Sequence, residues 1–264
     1  MYAFDYARPA DRAGALAAIT GDARFLAGGQ SLVQMMKLRI ASAEKLVDLG
    51  AVADLKGIRT DATGVTIGAM ASHAEVAASD DVQRAIPALA ELAGGIGDPM
   101  VRNRGTIGGS IANADPAACY PAGLVGLGAT VHTSRRQIPA DAFFTGVFST
   151  ALEAGELVTA VHFTPAEKAA YVKYKQPASR FALVGVFVSR GAGGVRVAVT
   201  GARGSVFRCA ELEAALRQTY TADAARSVKL PSAGMNADLH GSAEYRAAMV
   251  VEMVARAVAA SLAR

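Results

Sequence analysis

The chain has 264 residues, 52% of them hydrophobic, and a formal net charge of +4; at that length burial alone supports one large core or two ordinary ones. Its longest apolar runs, such as VVEMVARAVAASLA near the end, meet a charge well before the roughly 18–20 residues that cross a bilayer, and Lys and Arg are scattered without interleaved aromatics. Neither a membrane span nor a nucleic-acid surface is expected, and an N-terminus with Asp5 and no basic-then-apolar stretch argues against export and for the cytoplasm.

FDYARPADRAGALAAI reads as a short strand followed by a helix with Pro near its start, and RFLAGG as a strand running into a glycine turn. In QSLVQMMKLRIA, Leu32, Met35, Met36 and Ile40 fall near the spacing of a half-buried helix, and KLVDL follows as a strand. LKGIRTDATGVTIGAM predicts a hairpin turning at TDATG. From Ser72 to Gly95 the pattern is helical, opened by SHAE as a capping box of Ser72 and Glu75. Segment 94–110 is then long for a connection and too poor in charge for disorder, which marks it as functional. YPAGLVGLGATVHTS predicts a helix and a strand, GELVTAVHF a strand, AAYVKYKQPASRFALVGVFVSR two strands and GVRVAVTGA a third. CAELEAALRQTY and SAEYRAAMVVEMVARAVAASLAR close the chain as amphipathic helices. The composition shift at HFTPAEKAAY divides the chain into residues 1–165 and 166–264.

Two glycine runs stand out, Gly28-Gly29-Gln30-Ser31 and Thr106-Ile107-Gly108-Gly109-Ser110. Without a Cβ, such runs allow positive φ and a very close approach to another molecule, and successive N–H groups converging beside a helix start bind phosphate without lysines. Ser31, Thr106 and Ser110 add hydroxyl donors, and Asn113 and Asp115 are available to ribose or ribityl hydroxyls. The inference is to a dinucleotide, although a single G-G pair is commonly a structural turn. Neither G-x-x-x-x-G-K-[ST] nor G-x-G-x-x-G occurs in the right context, so a P-loop and a Rossmann fingerprint are not supported. The two cysteines, Cys119 and Cys209, have no C-x-x-C spacing and the four histidines no H-x-x-H spacing. No disulfide framework or metal site is expected in this chain, and any iron–sulfur cluster has to come from a partner.

AGGQSLVQMMKLR at 27–39, GDPMVRNRGTIGGSIANADPAACYP at 97–121 and YVKYKQPASRFALVGV at 171–186 resemble, in order and over essentially the whole chain, the FAD-binding medium subunit of the molybdenum hydroxylases, the xanthine dehydrogenase and aerobic carbon monoxide dehydrogenase group. The resemblance implies an α+β fold. Residues 1–165 would form a two-part FAD-binding domain of the vanillyl-alcohol-oxidase (PCMH) type, split near residue 55, and 166–264 a small domain of three-stranded antiparallel sheet plus helices. It implies that Ala27, Gly28, Gly29, Gln30, Ser31 and Leu32, with Thr106, Ile107, Gly108, Gly109 and Ser110, hold the FAD diphosphate. Asn113 and Asp115 match polar residues after the second motif, Lys175 a lysine near the flavin, and Ile96 and Val158 apolar positions beside it. Cys119 departs from the acid many relatives carry after DPAA, which puts one contact to FAD in doubt; it is read as a buried small residue.

The resemblance further implies a small 2Fe–2S subunit and a large molybdenum–pterin subunit as partners, in a dimer of heterotrimers, with NAD or another external acceptor taking the electrons. Two other readings are a self-sufficient flavin oxidase, for which the C-terminal region offers no evident cluster of acid, base or nucleophile, and a scaffold that has lost its cofactor. Turnover by the isolated chain distinguishes the first of these, and a colourless protein after FAD addition the second.

Overall fold

The computed structural model describes residues 1–263; Arg264, the last residue of the second predicted domain, lies outside them. Strands β1 (Asp5–Ala7), β2 (Ala23–Leu26) and β3 (Lys45–Asp48) form a parallel sheet in the order β1-β3-β2, with helices α1 (Arg12–Ala18) and α2 (Leu32–Lys37) as crossovers. Asp11 starts α1, its side chain accepting the Gly14 N–H, so the helix begins after Pro9 rather than at it. Ala15, Val47, Leu49, Val52, Leu55 and Leu157 make one small core here, and Met36, Ala43 and Leu46 another.

A second sheet is built from β4 (Ile58–Asp61) and β5 (Gly64–Gly68), the predicted hairpin, then a long excursion. The stretch 72–95 breaks into α3 (His73–Ala78), α4 (Asp80–Ala85) and α5 (Pro87–Gly94). The breaks have local causes: the Ser72–Glu75 capping box opens α3, Ser79 caps α4 through the Val82 N–H, and Pro87 starts α5. Segment 94–110 is not open loop, because it contains α6 (Pro99–Arg102) and the start of α7 (Ile107–Asn113). After α8 (Tyr120–Leu127) come β6 (Thr130–Thr133), β7 (Gln137–Pro139), α9 (Ala140–Phe143), the small hairpin β8 (Phe144–Gly146) and β9 (Ser149–Thr150), and β10 (Val158–Phe163). The resulting antiparallel sheet runs β4-β5-β10-β6-β7.

The rest of the chain is a meander of three long antiparallel strands, β11 (Lys168–Lys175), β12 (Ala182–Gly191) and β13 (Gly194–Thr200), with the two-residue β14 (Phe207–Arg208) at its edge. Helices α10 (Ala210–Gln218), α11 (Ala222–Arg226) and α12 (Ala243–Leu262) cover one face, where Val184, Val186, Val188 and Val197 meet Val250, Val254 and Val258. The other face joins the preceding part of the chain: Phe187 and Ala198 belong to the core that contains α8, every residue of which is buried. No helix of the described residues is long and apolar enough to cross a membrane.

Candidate functional site

The turn 27–31 leaves the carboxyl end of parallel strand β2 and enters α2, the position where open parallel sheets leave room for ligands. Gly29 takes φ +71°, a left-handed value that favours glycine. Gly28 answers a different demand: a Cβ there would lie 1.9 Å from the Arg104 carbonyl oxygen, so its backbone lies directly on the segment leading into the second motif. Among the described residues, the main-chain N–H groups of Gly28, Gly29, Gln30 and Ser31 find no acceptor, and Ser31 makes no capping bond with its own side chain.

The second motif is built otherwise. Thr106 is the N-cap of α7, its hydroxyl accepting the Gly109 N–H at 3.1 Å, and Gly108 and Gly109 are helical, not the positive-φ turn that the sequence suggests. The Ile107 and Gly108 N–H groups bond the carbonyls of Ala71 and Ala69 at 3.1 and 2.9 Å, so this edge is zipped to the chain that follows β5. Gly108 is needed for packing, since a Cβ would meet Ala69 at 2.6 Å; Gly109 faces the first motif, with Ala27 Cβ 3.4 Å from where its own Cβ would be. Of the second motif's N–H groups only that of Thr106 is without an acceptor among the described residues, so most of the free N–H groups belong to the first motif, and the second adds the close surface and the Ser110 hydroxyl.

Between the motifs runs a cleft of about 580 Å³, within the roughly 300–1,000 Å³ of small-molecule sites. It is lined by Ala27, Gly28, Gly29, Gln30, Ser31, Leu32, Ile96, Thr106, Gly108, Gly109, Ser110, Asn113, Asp115 and Val158 among the residues singled out in the sequence. One end lies by Phe25, Leu49 and Leu157, and the other by His73, Ile96, Cys119, Lys173 and Phe181, at the junction where β11 meets the segment after α5. The Asp115 carboxylate accepts the Ala117 N–H at 2.8 Å, holding the chain between α7 and α8. Ile107 points into the core with no exposed surface.

The family model for the FAD binding domain in molybdopterin dehydrogenase matches residues 2–166. The chain is 37% identical to the carbon monoxide dehydrogenase medium chain of Hydrogenophaga pseudoflava, over 94% of its own length and 92% of that chain. It is 33% identical to the nicotine 6-hydroxylase medium subunit of Paenarthrobacter nicotinovorans, covering 99% and 98% of the two. The reconstituted carbon monoxide dehydrogenase of Oligotropha carboxidovorans contains a chain that superposes with a TM-score of 0.89 at 34% identity, over 100% of this chain and 99% of that one. This chain belongs to the FAD-binding domains of molybdopterin dehydrogenases.

The polar groups at the junction end of the cleft differ from those the sequence points to. Lys175 is exposed and does not line the cleft, whereas Lys173 does. Strict alternation along β11 would put both on one face; the register slips between Tyr174 and Lys175, which turns Lys175 away. Lys173 Nζ donates to the Gly95 carbonyl at 2.9 Å and lies 3.3 Å from Cys119 Sγ. Cys119 is buried, as its reading from sequence anticipates, yet it forms part of the cleft wall. His73 is also buried, 5.3 Å from the Tyr120 ring, and its Nδ1 has no partner. Burial, aided by the nearby Arg102 guanidinium, pulls His73 down to about 4, so it is neutral at pH 7. Sequence reasoning passed over Lys173, Arg180 and Phe181 as site residues; the only available signal was that Arg180 ends YKQPASR and the other two flank it.

Proposed function

We propose that this chain is the FAD-bearing, electron-transferring subunit of a molybdenum hydroxylase, with residues 1–165 as its cofactor domain and 166–264 as the small domain that closes one end of the site. It takes electrons from 2Fe–2S clusters of a small subunit, fed by a large molybdenum–pterin subunit, and passes them to an external acceptor such as NAD, within a cytoplasmic dimer of heterotrimers. Bound FAD supplies the ability to receive electrons singly and release them in pairs, while the protein supplies position and electrostatics.

One observation carries this reading: two glycine motifs about eighty positions apart meet across one cleft, and the first offers four unpaired N–H groups there. These residues fit a diphosphate. Gly28 to Ser31 would hold its oxygens through main-chain N–H groups, and Ser110 would add a hydroxyl. Asn113 and Asp115 would meet sugar or ribityl hydroxyls, and Ile96 and Val158 would give the apolar ring systems their contacts. The ring end of the cofactor is assigned to the junction end, beside Ile96 and Lys173, and the adenine end to Phe25 and Leu49. The described residues contain no group of three or more His, Cys, Asp or Glu able to hold a metal ion.

The direct test is cofactor analysis of the chain purified with its partner subunits and alone. About one FAD released per chain on denaturation is expected; colourless protein that takes up no FAD on reconstitution contradicts the proposal.

A further inference from the structure

At the junction end of the cleft, three cationic side chains from three elements converge on three successive carbonyls. Lys173, from β11, donates to Gly95 O at 2.9 Å. Arg102, from α6, donates through one terminal nitrogen to Ile96 O at 2.9 Å and Gly97 O at 3.2 Å. Arg180, in the turn between β11 and β12, donates to the same Gly97 O at 3.4 Å. Among the described residues none of the three is ion-paired with a carboxylate. Two acids of the adjoining segments are engaged elsewhere: Asp98 accepts the Val101 N–H at 2.9 Å and Asp115 the Ala117 N–H.

Carbonyl oxygens fix these cations without cancelling them. A carboxylate would neutralise an ammonium or guanidinium, whereas a neutral dipole orients it and leaves its unit charge acting on the surroundings. Lys173 is half-buried and lines the cleft, so its field reaches whatever occupies that end through a poorly screening medium, and it needs no reorganisation when charge appears there. Lys175, exposed beyond the bulge, is screened by water.

We propose that Lys173, backed by Arg102 and Arg180, is the charge-stabilising group of this subunit: it favours negative charge on the ring end of the cofactor and so sets how readily electrons are taken up. The proposal rests on the assignment of FAD to the cleft with its ring at the junction end. Lys173 acts through its field and through its hold on the 95–97 carbonyls, so the test needs a readout that packing alone does not move.

That readout is sulfite, an anionic nucleophile that adds reversibly to flavin rings, bleaches their absorbance and leaves negative charge on them. The FAD-loaded chain is titrated with sulfite, and its midpoint potential is measured alongside. Lys173→Gln is expected to weaken sulfite binding about tenfold or more and to lower the potential, whereas Lys173→Arg, which keeps the charge, stays within about threefold of the parent. The same Gln change at Lys175 is the contrasting arm, and a loss there equal to that at Lys173 overturns the proposal, as does parental sulfite affinity in Lys173→Gln. If Lys173→Gln sheds its cofactor, the exposed change Arg180→Gln carries the test: weaker sulfite binding supports the proposal, and parental affinity overturns it. A parent chain that holds no FAD contradicts the function proposed above, whereas a full complement of FAD with unmoved sulfite affinity contradicts only this inference.

Discussion

The glycines of the two motifs are not equivalent, and their differences are measurable. Gly28 lies so close to the Arg104 carbonyl that even one methyl has no room, so Gly28→Ala is expected to lower stability by about 2 kcal/mol or more and to abolish FAD retention. Gly193, with nothing within 4 Å of a built Cβ, is the comparison: Gly193→Ala should change stability by less than about 0.5 kcal/mol in the same urea melts. A large effect at Gly193, or none at Gly28, contradicts this picture of the motifs. His73 gives a pH signature. Its folded value of about 4 lies below the ordinary histidine value of 6.5, so on acidification the unfolded chain takes up a proton that the native site refuses. The stability due to neutral His73 is complete above about pH 6.5 and is lost as pH falls towards 4, by about 3 kcal/mol. Glu156, held down to about 2 first by its hydrogen bond from Arg136, loses its contribution in a lower window, as pH falls from 4.5 towards 2. Replacing His73 by Gln should remove the upper part of the acid-unfolding slope and leave the lower part; an unchanged slope from pH 7 to 5 would show that His73 is already accessible to water.

At the scale of elements, α8 is the hinge of the packing, buried on all sides between α5 and the C-terminal sheet. Gly126 lets Phe187 of β12 lie against it, and an added Cβ would stand 2.7 Å from the ring and within 3.0 Å of the Phe187 Cβ. Gly126→Ala should cost about 1–3 kcal/mol and, because Phe187 is shared by the two domains, shift both in a single transition when followed by hydrogen exchange. Separate melting with only one domain affected would show that the shared core does not couple them. The elements most legible in the sequence are those specified locally. The 58–68 hairpin, the Ser72–Glu75 capping box, the three long strands of the C-terminal sheet and the terminal helix all follow from turn residues, caps and periodicity within a few positions. What stayed hidden depends on distant partners. The bulge that separates Lys173 from Lys175 arises from pairing with β12, and Gly108 reads as a turn because its contact, Ala69, lies some forty residues away.

At the scale of the whole molecule, the cleft exists because three units are brought together: the parallel sheet offers the turn after β2, the second sheet carries α7 and the 95–97 carbonyls, and the C-terminal sheet delivers Lys173 and Phe181. Dinucleotide chemistry was legible from the two glycine motifs, and FAD from their likeness to a family. Which N–H groups remain free was not, since it depends on the zipping of residues 105–108 to 69–73. On the proposed reading the tasks divide along the chain: residues 1–165 would hold the diphosphate, and 166–264 would supply charge at the junction end of the cleft. The most direct measurement is a crystal structure of the chain loaded with FAD. Diphosphate oxygens are expected within hydrogen-bond distance of the Gly28–Ser31 N–H groups, with the flavin ring beside Ile96 and Lys173; a diphosphate bound elsewhere, with those N–H groups facing water, contradicts the proposed function.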